Sequence, residues 1–408
     1  MNRLHPGPGA TEGDMWLRIL DLDGAALMAE AERRTRLDDF AEDETFEDGF
    51  RLLIRSYETE SHLNLIGRVA ARQNTLRLLT NRLRLVDDRR RHPEIEAEDV
   101  QRPLFLTGIA GSGATFLHEL LAQDPENRAP LHWEALLPSP PAEDRPGEAN
   151  RRIVAADGQL RWLARLQPEI RHLRRLGAEL PEECGMIVSH SFASFAFQQV
   201  HDVPTYGAWL EDRDLTRCYA WHRGSLQQLQ LQRRRRRWVL RSPAHLFGLG
   251  ALFATYPDAR VVFVHRDPVD ATRAVATLTA VHRSTFSRTV DPSAVAREVT
   301  ERWATAIARA CRYRDAGIVP AGRFLDVRYD DLLGDPIGTI GRIYAQWEVP
   351  LTGAAMDGMR RFVGSPSRAC HSPESAVDPE WVDERYRWYR ERFAVASRRF
   401  EWQSSSEC

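Results

Sequence analysis

The chain has no uninterrupted apolar run approaching the roughly 20 residues that cross a bilayer. Its first residues, MNRLHPGPGATEGD, lack the apolar core of a secretory signal. Cysteine is scarce and scattered (Cys184, Cys218, Cys311, Cys370, Cys408), with no C-x-x-C pair, so neither a disulfide scaffold nor a zinc site is indicated. Neither sign of charge is in excess: 56 Lys+Arg, with Arg dominating, face 58 Asp+Glu. A general nucleic-acid or anionic-membrane surface is therefore not expected. Repeats are absent, and Arg233–Arg237 forms the single low-complexity tract, which suits a solvated helix C-terminus. These absences lead to the expectation of a soluble cytoplasmic protein without metal; a homo-oligomer is left open. At 408 residues the chain can bury a large core.

What is present divides into two patterns. Residues 1–101 carry helical spacing throughout, as in DDFAEDETFEDGFRLLIRSYETESHL, with Asp39, Asp43 and Asp48 where caps and first-turn acids are favoured. From Arg102 the pattern changes to short apolar runs separated by helices. The runs are Leu104 onward, Arg128–Glu134 (a strand or its exit loop), Arg237–Pro243, Ala259–Pro268 and Arg323–Leu332. Such alternation predicts an α/β fold with a doubly wound parallel sheet over 102–400, a helical insertion at 151–232, and a tail at 401–408. Asp-Pro pairs at Asp267, Asp291, Asp335 and Asp378 predict helix starts, each a capping oxygen before a proline in the first turn.

Ligands of such sheets sit at the carboxyl ends of the strands. The first strand runs into LFLTGIAGSGATFLHELL, which fits Gly-x-x-x-x-Gly-x-Thr at Gly108, Gly113 and Thr115. That is the skeleton of an anion-cradling loop at a helix N-terminus. The other strand ends offer Trp133-Glu134, Arg241-Ser242 and His265-Arg266-Asp267. Glu134 reads either as a base beside the loop or as a helix-capping, salt-bridged carboxylate. His190, in SHSFASF, reads as a second base or as a hydrogen-bonded core histidine; Glu182 and Glu183 read as pocket-lining groups or a surface helix start. His265 and His118 suit packing.

The stretches LFLTGIAGSGATFLHELLAQDPENRAPLHWEALLPSPP, LPEECGMIVSHSFASFAF, VPTYGAWL, RRWVLRSPAHLFGLGALFATYPDARVVFVHRDPV and FLDVRYDDLLGDPIGTI resemble, in order, bacterial sulfotransferases that use 3′-phosphoadenosine 5′-phosphosulfate (PAPS). RTRLDDF and LTNRLRLVDDRRRHPEI resemble that family's helical N-terminal extension. The resemblance implies a P-loop sulfotransferase fold and sulfuryl transfer from PAPS to a hydroxyl of a small-molecule acceptor. It also implies roles. Gly108, Gly111, Ser112, Gly113, Ala114 and Thr115 would cradle the 5′-phosphosulfate. Glu134 would act as base, Arg241 would steady the leaving group, and Arg266 would bind the 3′-phosphate. Arg368, with His371, would fold over the nucleotide.

Four changes set the chain apart from the family pattern. Pro-Arg-Ser-Gly-Thr-Thr is replaced by Ala110-Gly111-Ser112-Gly113-Ala114-Thr115, the usual Lys by Arg241, a Ser by Ala274, and the C-terminal loop is poor in Gly and basic residues. Charge-assisted hydrogen bonds contribute about 1.5–3 kcal/mol each, so the lost arginine and two hydroxyls correspond to roughly 3–5 kcal/mol, or about two to four decades of binding. Arg102, Arg241 or Arg273 are the candidate substitutes. The alternative is a repurposed member of the fold that has lost PAPS use and binds or transforms another small molecule. A nucleoside-triphosphate kinase is disfavoured, because Ala114 stands where such a loop needs Lys.

Overall fold

The structure, a computed structural model, describes residues 20–41, 43–140, 148–231, 236–365 and 376–396. Before the sheet come three long helices, Gly24–Thr35, Glu44–Thr59 and Leu65–Arg91. Each starts on a side-chain cap, from Asp23, Asp43 and Asn64. The last of them is joined to the rest of the chain by buried Arg82. Its guanidinium donates to the carbonyls of Phe40, Ala41 and His190, between the rings of Phe46 and Trp221. Planar donors and flat faces suit such a site, where an ammonium would leave carbonyls unmet.

The sheet has five strands, β1 (Leu104–Thr107), β2 (Asn127–Arg128), β3 (Arg237–Arg241), β4 (Arg260–His265) and β5 (Phe324–Arg328). All neighbours are parallel, in the order β2-β3-β1-β4-β5. Helices cover both faces, which is why the central strands read as unbroken apolar runs. From β1 the chain leaves toward β2, and from β3 it crosses to β4 on the other side. The carboxyl ends of β3, β1 and β4 therefore share one edge, and the ladder sets Arg241 opposite Leu106.

The second run departs from a strand reading over Arg128–Glu134. β2 ends at Arg128, and His132–Leu136 is a short helix. The cause is local: Glu134 Oε2 accepts from the Leu131 N–H at 3.0 Å, closing the first turn. The Asp-Pro starts are all present, at helices Pro268–Phe286, Pro292–Asp315, Pro336–Gln346 and Pro379–Arg385, each with its aspartate accepting from first-turn N–H groups.

These caps differ in burial. Asp267 is 7% exposed and also meets Arg390 Nη2 at 3.2 Å, whereas the Asp291 side chain is 62% exposed. Asp291→Ala is expected to cost about 1 kcal/mol and Asp267→Ala about 2 kcal/mol, because the latter also removes one of the two carboxylates that meet Arg390, the other being Asp383. Urea unfolding of the two variants checks the order; equal losses would contradict it.

Candidate active site

The turn after β1 is built by close approach. Gly108, Gly111 and Gly113 have φ of 154°, 85° and 91°, and each faces something a side chain would strike. A Cβ on Gly108 would lie 2.3 Å from the Val264 carbonyl, one on Gly111 2.3 Å from the Ala271 carbonyl, and one on Gly113 2.3 Å from the Tyr329 ring. The loop thus runs against the end of β4, the helix after it and the residue after β5. It feeds helix Ala114–Leu121, whose first turn receives no side-chain cap. Its leading N–H groups and positive dipole end are left for an anion. Ser112 is buried and Thr115 is exposed at the helix start.

Two arginines flank the loop. Arg266, at the end of β4, donates from Nη1 to the Gly111 carbonyl at 3.0 Å and lies 4.6 Å over the Tyr329 ring. Arg241, at the end of β3, ion-pairs through Nη1 with Glu183 Oε2 at 3.0 Å. Among the described residues, Nε of both is buried and without a hydrogen-bond partner. The chain contains no lysine, so every cation near this edge other than a protonated histidine is a guanidinium.

Several expected groups are engaged elsewhere. Glu134 is 1% exposed, with one oxygen on the Leu131 N–H and the other 3.1 Å from Arg128 Nη2. It holds a capping, salt-bridged position in this structure. His190 is 1% exposed, with Nδ1 on the Ile187 carbonyl and Nε2 accepting from Asn81, so it is a core histidine at the join with the helical layer. His265 lies between Tyr389 and Asp326, stacked on Phe393, and His118 contacts the Val239 carbonyl. Arg102 precedes β1 at the opposite, amino edge of the sheet, where its N–H meets Asp258, so it does not reach the loop. With Arg260, Arg323 and Trp347 it borders a cleft of about 530 Å³ there. Arg368 and His371 lie outside the described residues.

Two contributors, Tyr329 and His132, were not singled out from sequence. Tyr329 packs across Gly113 and under Arg266. A buried pair joins His132 Nδ1 and Glu182 Oε2 at 2.6 Å, with Arg174 beside them, and these partners hold the Glu182 carboxyl well below its ordinary range against the opposing effect of burial. The only sequence signal for either was position: one follows a strand end, the other precedes Trp133-Glu134.

A glycine-bent turn thus leads from a central parallel strand of this α/β fold into an uncapped helix, with an arginine at the end of each neighbouring strand. Among the described residues no group of His, Cys, Asp and Glu is arranged to hold a metal ion, and no helix is long and apolar enough to cross a membrane. The profile of the Sulfotransferase family matches residues 103–353, more than half of the chain, and the chain belongs to that family. It is 24% identical over 262 residues to "Omega-hydroxy-beta-dihydromenaquinone-9 sulfotransferase Stf3" of Mycobacterium bovis and of Mycobacterium tuberculosis. That match spans 59% of this chain and 61% of those relatives' length. The crystal structure of sulfotransferase STF1 from M. tuberculosis H37Rv superposes with TM-score 0.79 at 29% identity, covering 90% of this chain and 99% of that one. Sulfotransferase STF9 from Mycobacterium avium gives 0.81 at 25%, covering 92% and 98%.

The loop geometry carries a prediction about its missing arginine. A residue with a side chain at position 111 is strained by about 1–2 kcal/mol at positive φ, before any contact with Ala271 is counted. Gly111→Arg, which restores the family residue, is expected to lower the melting temperature and to leave nucleotide binding no better. A stable variant with tighter binding would refute this.

Burial also sets an acid limit. His118, His190, His201, His222 and His282 are each lowered by desolvation from 6.5 to about 3. Their folded values lie below the unfolded ones, so the unfolded chain binds more protons between those limits. Stability is complete above about pH 6.5 and falls as pH drops, by up to ~1.4 kcal/mol per unit for each histidine. Circular dichroism is expected to show cooperative unfolding above pH 4; unchanged urea stability from pH 7 to 4.5 would exclude it.

Proposed function

We propose that this protein transfers a sulfuryl group from PAPS to a hydroxyl of a small-molecule acceptor. The observation that carries the reading is the uncapped helix start behind the glycine turn, faced by Arg241 and Arg266 with buried, unpartnered Nε atoms. Arginines at the ends of the two strands beside β1, next to an uncapped helix start, fit an anion better than packing alone. The mycobacterial relatives are named for sulfotransfer to a hydroxylated lipid quinone, which supports a hydroxyl acceptor here.

In this reading the backbone of Gly108–Thr115 holds the 5′-phosphosulfate, and Thr115 adds its hydroxyl. Arg241 meets the charge that grows on the departing phosphate. Arg266 serves both the loop, through the Gly111 carbonyl, and the 3′-phosphate end. The helical segment 151–231 borders the acceptor. Sulfuryl transfer needs positioning and charge stabilisation more than covalent help from the protein, by analogy with phosphoryl transfer. The backbone and Arg266 thereby do part of the task that the family gives to a loop arginine.

Calorimetric titration with 3′-phosphoadenosine 5′-phosphate, the by-product of PAPS, tests the nucleotide site. Micromolar binding is expected. Arg266→Ala should weaken it by about 10- to 100-fold, equivalent to about 1.5–3 kcal/mol for a charged hydrogen bond. No binding at millimolar ligand by a folded protein would reject the proposal.

A further inference from the structure

Transfer to a hydroxyl requires a group that takes the proton, and the carboxylate expected to do so, Glu134, is committed to its own helix. Glu182 is likewise buried and bound to His132 and Arg174. Glu183 is different. It stands at the start of helix Cys184–Val188 yet makes no side-chain cap to it. Its carboxylate, 25% exposed, instead reaches Arg241. The position is close to the loop: Arg241 pairs with Leu106 in the ladder, and the next residue, Ser242, binds the Leu106 carbonyl through N–H and the Thr107 hydroxyl through C=O.

We propose that Glu183 is the general base and that Arg241 holds it in reserve until nucleotide binds. This rests on the sulfotransferase reading above. When the 5′-phosphosulfate lies in the loop, its charge competes with Glu183 for the Arg241 guanidinium, and the carboxylate is released toward the acceptor. The acceptor O–H proton then passes to Glu183 Oε2 while an oxygen lone pair forms the new O–S bond. The S–O bond to the 5′-phosphate breaks, its electron pair stays on the phosphate oxygen, and Arg241 meets that charge. The products are the sulfate ester, 3′-phosphoadenosine 5′-phosphate and a protonated Glu183, which returns its proton to water. One ion pair thereby couples cofactor arrival to base activation.

The test uses the full chain and two probes, 3′-phosphoadenosine 5′-phosphate for affinity and labelled PAPS with 2-naphthol for turnover. Glu183→Gln removes the competitor for Arg241, so it is expected to bind the nucleotide about fivefold or more tighter while losing roughly 100-fold or more in kcat. The acid limb of the kcat/KM profile should disappear with it. Glu183→Asp, too short to hold Arg241 but still a carboxylate, should show the tighter binding with an intermediate kcat, and it serves if the Gln variant fails to fold. A merely structural ion pair would instead lower melting temperature and leave affinity equal or weaker, and that outcome overturns the inference. If wild type does not turn over 2-naphthol, the affinity comparison decides. Absence of nucleotide binding by wild type would instead reject the PAPS reading, so the two failures are distinct.

Discussion

Everything at the working edge depends on how closely two pieces of backbone and one ring approach the turn after β1. Val264, Ala271 and Tyr329 press on Gly108, Gly111 and Gly113 at distances that no Cβ tolerates. The contact orients the following helix, and with it the uncapped N–H groups of its first turn. It also explains why the family arginine is absent without the loop collapsing. Position 111 has become part of the packing, in a left-handed conformation, and its carbonyl is turned to Arg266. The positive charge thus stands beside the loop, on the neighbouring strand end.

That solution belongs to a wider habit of the chain. With no lysine, its fixed side-chain cations are all planar guanidinia, and these are used repeatedly as backbone clamps. Arg82 gathers carbonyls from the helical layer and the insertion, Arg152 those of Leu137 and Pro140, and Arg283 that of Gln198 while pairing with Glu298. A guanidinium satisfies several acceptors in one plane and is less strongly hydrated than an ammonium, so it costs less to bury. The same property lets Arg241 stay paired with Glu183 at rest and still present further donors to the crevice.

The buried carboxylates and histidines follow a complementary rule. Glu182 keeps its charge because His132 and Arg174 surround it, and the core histidines stay neutral because burial outweighs every hydrogen bond they make. Exposure therefore separates the carboxylates near the loop. Glu134 and Glu182 are closed in by partners, while Glu183 keeps one arginine and a view of solvent.

By itself the sequence determined the elements whose causes are local. Apolar runs too short for helices specified the strands, Asp-Pro pairs specified helix starts, and glycine spacing specified a turn that side chains could not make. It also carried the family likeness, through motifs in order along most of the chain. Only the tertiary structure decided which partners each carboxylate and each arginine meets. Glu134, Glu182 and Glu183 differ little as letters, and their roles follow from partners as far as 58 positions away in the chain, such as Arg241 for Glu183. Likewise His190 was ambiguous until Asn81, from the first helical layer, was brought against its ring. The physical reason is that a cap or a turn is satisfied within a few residues, whereas burial and charge pairing are properties of whatever the fold brings alongside.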